Sequence, residues 1–284
     1  MNKELITKNI SLKDLKTIKE AKTNMENIGS LMKALNKVGG KIETGIDMIP
    51  TKMQEKLKKN LHNLLMGIVK TNILSMQKNN TYKKPSEKTY KALVTSTGIV
   101  SGVFGSTTGV GTAIFLSELA MSTKFMMRAI IDVARSHGEN IQELDTQLAC
   151  IQVFALGGTS KADDGAETSY YSTRVGLNSF VKSTTNYAAK NGLQNFSKVL
   201  LTSTNPLSKL IGSVVSKFIN QVSEKFIAQA IPIAGAVGGG AINYVFITHF
   251  QKIAEAHFSI RELERIYGED LVREAYESIE LATQ

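Results

Sequence analysis

The chain has no tryptophan, four prolines and a single cysteine in 284 residues. Each scarcity removes a class of structure. A lone cysteine can form neither an internal disulfide nor a multi-cysteine zinc site, and the lack of pairs fits a reducing compartment. Cys150 lies between Ala149 and Ile151 and reads as a small buried hydrophobe. Proline breaks helix interiors, so its scarcity favours long helices over strands and turns. Aromatic residues are 7% of the chain, which leaves Leu, Ile, Val, Met and Ala to build the core. The first thirty residues alternate charged and apolar positions, with no continuous apolar run behind the basic start. No secretory signal is expected there.

Recognisable cofactor chemistry is also missing. The segment GIVSGVFGSTTGVG has no GKS or GKT ending, so it is not a phosphate-binding P-loop. No strand pattern precedes it, as a dinucleotide fingerprint requires. The four histidines, His62, His137, His249 and His257, include no pair three or four apart, so the zincin spacing is absent. Asp163, Asp164 and Gly165 are too few for a calcium loop. No metal and no cofactor is expected, and no catalytic residue can be assigned.

What the chain does have is lysine, unevenly placed. Residues 1–90 hold 18 lysines against 8 acids, and residues 91–284 hold 16 basic against 17 acidic groups. The whole excess of the +9 formal charge therefore sits in the first third. Such an arm suits anionic lipid or nucleic acid. Lysine without arginine or aromatic neighbours points away from base stacking, so anionic membrane is the expected partner and nucleic acid is not.

Helical periodicity runs through most of the chain. Ser11 can cap a helix carrying Leu12, Leu15, Ile18 and Ala21 at three-residue spacing, with Asp14 three positions after the cap. Gly39 and Gly40 end this region. Pro50 suits the start of a second helix through Met53, Leu57, Leu61, Leu64, Leu65, Ile68 and Val69, with His62 at its surface. Residues 78–88 read as a polar linker, dividing a lysine-rich helical region over 1–84 from a helical domain over 85–284. Further helices are expected over 122–135, ending at His137-Gly138, over about 139–156, from about 167, and after Pro206. Residues 157–167 read as a polar loop, and residues 252–284 as one or two exposed acidic helices.

Two stretches carry no charge for 26 residues each, Ala92–Ser117 and Phe226–Gln251. Each has the length of a bilayer span, but the first holds 5 Gly and 9 Ser or Thr, weakly hydrophobic for lipid on all sides. Its Gly98, Gly102, Gly105 and Gly109 follow one helix face. The second carries Ala234, Gly235, Gly238, Gly239 and Ala241. Small-residue seams let helix backbones approach closely, so the two segments are expected to pack on each other. The fold expected is all-α, a large helical bundle around these two glycine-rich segments.

A few polar residues lie within apolar helix: Glu118, Arg128, Asp132, Arg174, Asn243 and His249. Arg128 and Asp132 are spaced to pair on one helix face. A polar cluster of these residues would be a fold-specifying network, a pocket for a lipid headgroup or other polar ligand, or, with Glu118, Asp132 or His249 as acid or base, a hydrolytic site.

Residues 231–268, IPIAGAVGGGAINYVFITHFQKIAEAHFSIRELERIYG, resemble the C-terminal signature of the EcsC family: a Pro-led, Gly-rich segment, Asn-Tyr, then a helix ending in an apolar-Arg-x-Leu-Glu run. Residues 98–138, with FLSELAMSTKFMMRAIIDVARSHG after the glycines, and SYYSTR at 169–174 are similar to further family elements. The resemblance covers about 90–280. It implies a bacterial, intracellular protein from a family named after an operon that also encodes an ABC transporter, and it carries no catalytic motif. The expected function is non-enzymatic and membrane-associated or lipid-contacting, at the inner face of the cell membrane and auxiliary to transport. The alternatives are a soluble helical interaction module with a protein partner, a hydrolase acting on lipid or peptide, and a two-span integral protein. The last would place Lys91 and Lys252 at one face and Lys124 and Lys225 at the other, without a positive-inside bias.

Overall fold

The computed structural model describes residues 9–26, 49–75, 91–92, 95, 109–156, 170–192, 205–230 and 236–281. These residues are all-α. They form α1 (Leu12–Glu26), α2 (Thr51–Ser75), α3 (Gly109–Ser136), α4 (Leu144–Gln152) with a 3₁₀ turn at Val153–Ala155, α5 (Tyr170–Asn191), α6 (Pro206–Ala230), α7 (Ala236–Tyr267) and α8 (Glu269–Ser278).

Local chemistry sets the helix ends. The Ser11 hydroxyl accepts from the Asp14 amide at 3.1 Å and donates to the Asp14 carboxylate at 2.7 Å, fixing the start of α1. Pro50 accepts from the amides of Met53 and Gln54 as α2 opens. Pro206 does not merely interrupt the chain. It takes the first position of α6, where its missing N–H costs nothing, and Asn205 Oδ1 accepts from the Ser208 amide at 2.7 Å. Gly138 closes α3 with φ +74°, a left-handed conformation that glycine adopts without strain.

The centre is α4 with its 3₁₀ turn, where every residue from Thr146 to Leu156 is buried. Cys150 is among them, and burial pushes its thiol pKa upward. Around this centre α6 packs against α2, α5 and the 3₁₀ turn, and α7 packs against α1, α3 and α8. Phe154 meets Phe218 at 4.9 Å and Phe250 at 5.4 Å, joining the 3₁₀ turn to α6 and α7. Leu57, Leu61, Leu65, Ile68 and Val69 form the buried face of α2. His62 is half-buried, with Nε2 3.5 Å from the Ser208 hydroxyl.

Two expectations need correction. Residues 139–156 are not one helix. Asn140 Oδ1 accepts from the Gln142 amide at 3.1 Å, and Gln147 Nε2 donates to the Ile141 carbonyl at 2.7 Å. These local bonds compete with helical ones, so a turn occupies 139–143 before α4. The chain after Lys252 is also no exposed tail. Helix α7 continues unbroken to Tyr267 with Ile253, Ala254, Ala256, His257, Phe258 and Ile260 buried, and α8 buries Val272, Ala275 and Tyr276.

Helices α3 and α7 lie side by side and run in the same direction: residue 118 meets 243, and 137 meets 255 and 262. Helix α6 runs opposite to both, with Lys225 beside Glu118 and Phe218 beside Phe250. The helices into which the two charge-free segments run are therefore neighbours. The seam itself is only partly covered: Gly98, Gly102, Gly105, Ala234 and Gly235 lie outside the described residues, as do Gly39, Gly40 and residues 157–167. Gly109 opens α3, Gly238 lies in the first turn of α7, and Gly239 is buried.

Candidate functional site

Three polar clusters are built into the bundle, each from a different set of helices. The first lies where the N-terminal half of α3, the C-terminal end of α6 and the start of α7 converge. Lys225 Nζ donates to Glu118 Oε1 at 2.8 Å, and Asn243 Nδ2 donates to the same oxygen at 2.8 Å. The Lys225 ammonium lies 4.9 Å from the centre of the Phe246 ring and 5.9 Å from that of Phe115. Phe226 meets Phe115 edge-on at 5.0 Å. The side chains of Lys225 and Glu118 are 0% and 3% exposed. Burial pulls the Lys225 pKa down and Glu118 opposes that shift, so proton affinity and pairing are coupled. Glu118 Oε2 and Thr123 Oγ1 have no hydrogen-bond partner among the described residues. The cluster pins three helices at the ends from which the charge-free segments leave.

The second cluster joins α5 to α7 and α8. Arg174 grips Glu264 with two hydrogen bonds of 2.6 Å, a fork that fits a carboxylate. The Tyr171 hydroxyl donates to Glu264 at 3.0 Å. Arg174 also donates to the Tyr170 hydroxyl at 3.2 Å, and that oxygen lies 2.9 Å from His257 Nδ1. Burial, with Arg174 and Arg261 nearby, holds His257 far below the ordinary imidazole range, so it is neutral. The Tyr170 hydroxyl thus accepts from Arg174 and shares a hydrogen bond with Nδ1 of the neutral His257, whose buried Nε2 has no partner among the described residues. Burial pushes the Tyr170 pKa up to about 12. Tyr276 of α8 packs on both tyrosines, at 5.5 and 5.2 Å. This network is largely buried, with Glu264 at its solvent edge, and it ties α5 to α7 and α8.

The third cluster surrounds the turn after α3. Glu139 accepts from Arg261 Nε at 2.8 Å, Arg261 Nη2 at 3.1 Å and the Thr146 hydroxyl at 3.1 Å, and also from Arg265. Burial works against the Glu139 charge, but Arg261 and Arg265 outweigh it and lower its pKa. Arg265 also donates to the His137 carbonyl. An open polar cleft of about 450 Å³ lies here, lined by Gly138, Glu139, Asn140, Glu143, Thr146, Arg261, Glu264, Arg265 and Glu269.

The residues singled out in the sequence thus separate. Glu118 and Asn243 meet directly. Arg174 belongs to the second cluster. Asp132 bonds Arg135 at 2.9 Å, and Arg128 is exposed. His249 is buried edge-on to Phe250 at 5.2 Å, and burial with Lys252 nearby holds its pKa down to about 4. Glu118 and Asp132 are fourteen residues apart on one helix, roughly 21 Å at 1.5 Å per residue. They cannot share a hydrolytic centre. Among the described residues no group of three or more His, Cys, Asp or Glu side chains could hold a metal ion. No helix among them is long and apolar enough to cross a membrane.

Sequence reasoning missed Lys225, Glu139, Tyr170, His257, Arg261, Glu264 and Arg265. The run IRELER at 260–265 gave no such signal: at 3.6 residues per turn its four charges fall on one half of the helix, opposite Ile260 and Leu263, the pattern of an ordinary solvent-facing side.

The model of the EcsC protein family matches residues 12–263. That span runs from the first residue of α1 into α7 and includes all three clusters apart from Glu264, Arg265, Glu269 and the Tyr276 contact. Neither a curated protein nor a solved structure matches the chain.

Proposed function

The chain belongs to the EcsC protein family, and from that premise we propose that it is a non-enzymatic protein of the membrane surface, one that rests on anionic lipid through α2. The observation that carries this reading is the outward face of α2. Lys52, Lys56 and Lys59 are exposed at positions i, i+4 and i+7, one side of a helix, and exposed Lys70 lies in line with them. The opposite face of α2, with Leu57, Leu61 and Leu65, is buried against the bundle. The lysines are therefore held on a rigid element. Each basic residue near an anionic surface contributes about 1 kcal/mol of attraction, so a fixed row of them can hold a small protein at the bilayer without a span.

The operon association implied by the family resemblance suits this reading, with a place at the inner face of the cell membrane and a role beside a transporter. Co-sedimentation with vesicles tests it. The expected result is binding to phosphatidylserine-containing vesicles at low salt, weakened at high salt because exposed charges are screened, with little binding to neutral vesicles. Binding that ignores lipid charge and salt would instead assign the contact to the charge-free segments. No binding in any condition would favour a soluble interaction protein with a protein partner.

A further inference from the structure

His137 stands just past the end of α3 with a carboxylate on each ring nitrogen. Nδ1 lies 2.6 Å from Glu262 Oε2, and Nε2 lies 3.0 Å from Glu255 Oε1. The two acids are seven residues apart on α7, so one face of that helix holds the ring from both edges. A neutral imidazole has one N–H and one bare acceptor nitrogen. In that form one of these contacts sets a lone pair against a carboxylate. Only the imidazolium donates to both. We propose that His137 is a proton-dependent latch: as imidazolium it ties the turn after α3 to α7 through Glu255 and Glu262, and loss of the proton releases that turn.

The surroundings support the charged form. Burial works against it, but the two carboxylates outweigh burial and raise the His137 pKa above its ordinary value. The end of α3 adds the negative pole of a helix dipole, which favours a cation. The other nearby charges are already engaged. Arg265 of α7 donates to the His137 carbonyl, Arg135 pairs with Asp132, and Glu139 is held by Arg261 and Arg265. The two carboxylates are half-exposed to exposed, at 46% and 60% for Glu262 and Glu255, so protons can reach the ring.

The latch has a mechanical consequence. The next residues, Gly138, Glu139, Asn140 and Glu143, form one wall of the polar cleft. Releasing His137 removes one tie on that wall and leaves the salt bridges of Glu139, the Arg265 bond to the His137 carbonyl and the Gln147 bond to the Ile141 carbonyl as the others. The sign follows from linkage. A histidine whose folded pKa is raised adds stability that is complete below its unfolded value, about 6.5, and is lost as pH rises through the folded value. The latch therefore closes on acidification and opens as pH rises through the raised folded value. This inference stands independently of lipid binding.

The test is a proton and nitrogen NMR titration of the histidine rings in the full-length protein, with amide-exchange protection of Glu139, Gln142 and Glu143 measured over the same pH range. The expected result is that both ring nitrogens of His137 are protonated at pH 6.5. The titration midpoint should lie above 6.5, and protection of the turn should fall through that midpoint. Glu255→Gln and Glu262→Gln should each lower the midpoint, and the double variant should bring it to 6.5 or below. Glu224, whose pKa burial pushes up to about 7, also titrates in this range, but it lies on α6 and its effect would survive in the double variant. A single neutral tautomer in the wild-type protein at pH 6.5 overturns the proposal, and so does turn protection that stays flat through the midpoint.

Discussion

At the residue scale the most informative group is Lys225, a fully buried ammonium whose only acidic partner among the described residues is Glu118. Taking both charges out of water is costly, and their attraction repays this only with good geometry. Here the geometry is good: Asn243 bonds the same carboxylate oxygen and two phenyl rings face the ammonium. Such a pair makes the arrangement of α3, α6 and α7 specific, because no other register brings the charges together. Removing one partner strands the other. Lys225→Met and Glu118→Leu are each expected to cost about 3–5 kcal/mol, and the double variant much less than the sum, because both charges then leave together. Urea unfolding of the four proteins measures this, and additive costs would mean that the pair is not coupled. Gly138 is a second sensitive residue. A Cβ there would meet Arg265 at an ordinary 3.7 Å, so space is not the obstacle. The φ of +74° is, and Gly138→Ala should cost about 1–2 kcal/mol from the left-handed backbone alone. Thermal unfolding of that variant checks this.

At the scale of elements, α7 shows what local pattern reveals and what it hides. The starts of α1 and α2 and the stop at Gly138 were legible, because these depend on neighbours three or four residues away. The face that α7 buries beyond Lys252 and the partners of its charges were not. Arg261 and Arg265 reach Glu139, Glu262 reaches His137, and Glu264 reaches Arg174, so the run that reads as a solvated tail is cross-linked to the turn after α3 and to α5. Those pairings depend on helix order and direction, which no local spacing encodes. Lys225 illustrates the same limit. A lone lysine at the edge of a charge-free stretch looks like the flank of a membrane span. Only the antiparallel placement of α6 beside α3 sets it against Glu118. Glu118 and Asn243, by contrast, were visible as polar residues in apolar helix, and they do meet. Arg128, Asp132 and His249 had the same local appearance and went elsewhere.

At the scale of the whole molecule, charge is sorted by element. Lysines dominate the exposed face of α2, while the start of α8 carries Glu269 and Asp270 and the end of α7 sets Glu262 and Glu264 beside Arg261 and Arg265. This sorting makes orientation on an anionic surface the expected consequence, with α2 toward the lipid and the polar cleft facing elsewhere. Net charge alone would also attract the protein to anionic vesicles, so the decisive comparison holds net charge constant. Lys52→Glu/Lys56→Glu/Lys59→Glu alters the face of α2. Lys13→Glu/Lys16→Glu/Lys19→Glu makes the same charge change on exposed positions of α1. Affinity for phosphatidylserine vesicles, measured for both variants and the unmodified protein at one low ionic strength, separates the α2 face from total charge. The α2 variant should lose at least tenfold, and the α1 variant should keep most of its binding. Equal losses in both would rule out a docking face on α2, because attraction would then follow total charge and no particular face.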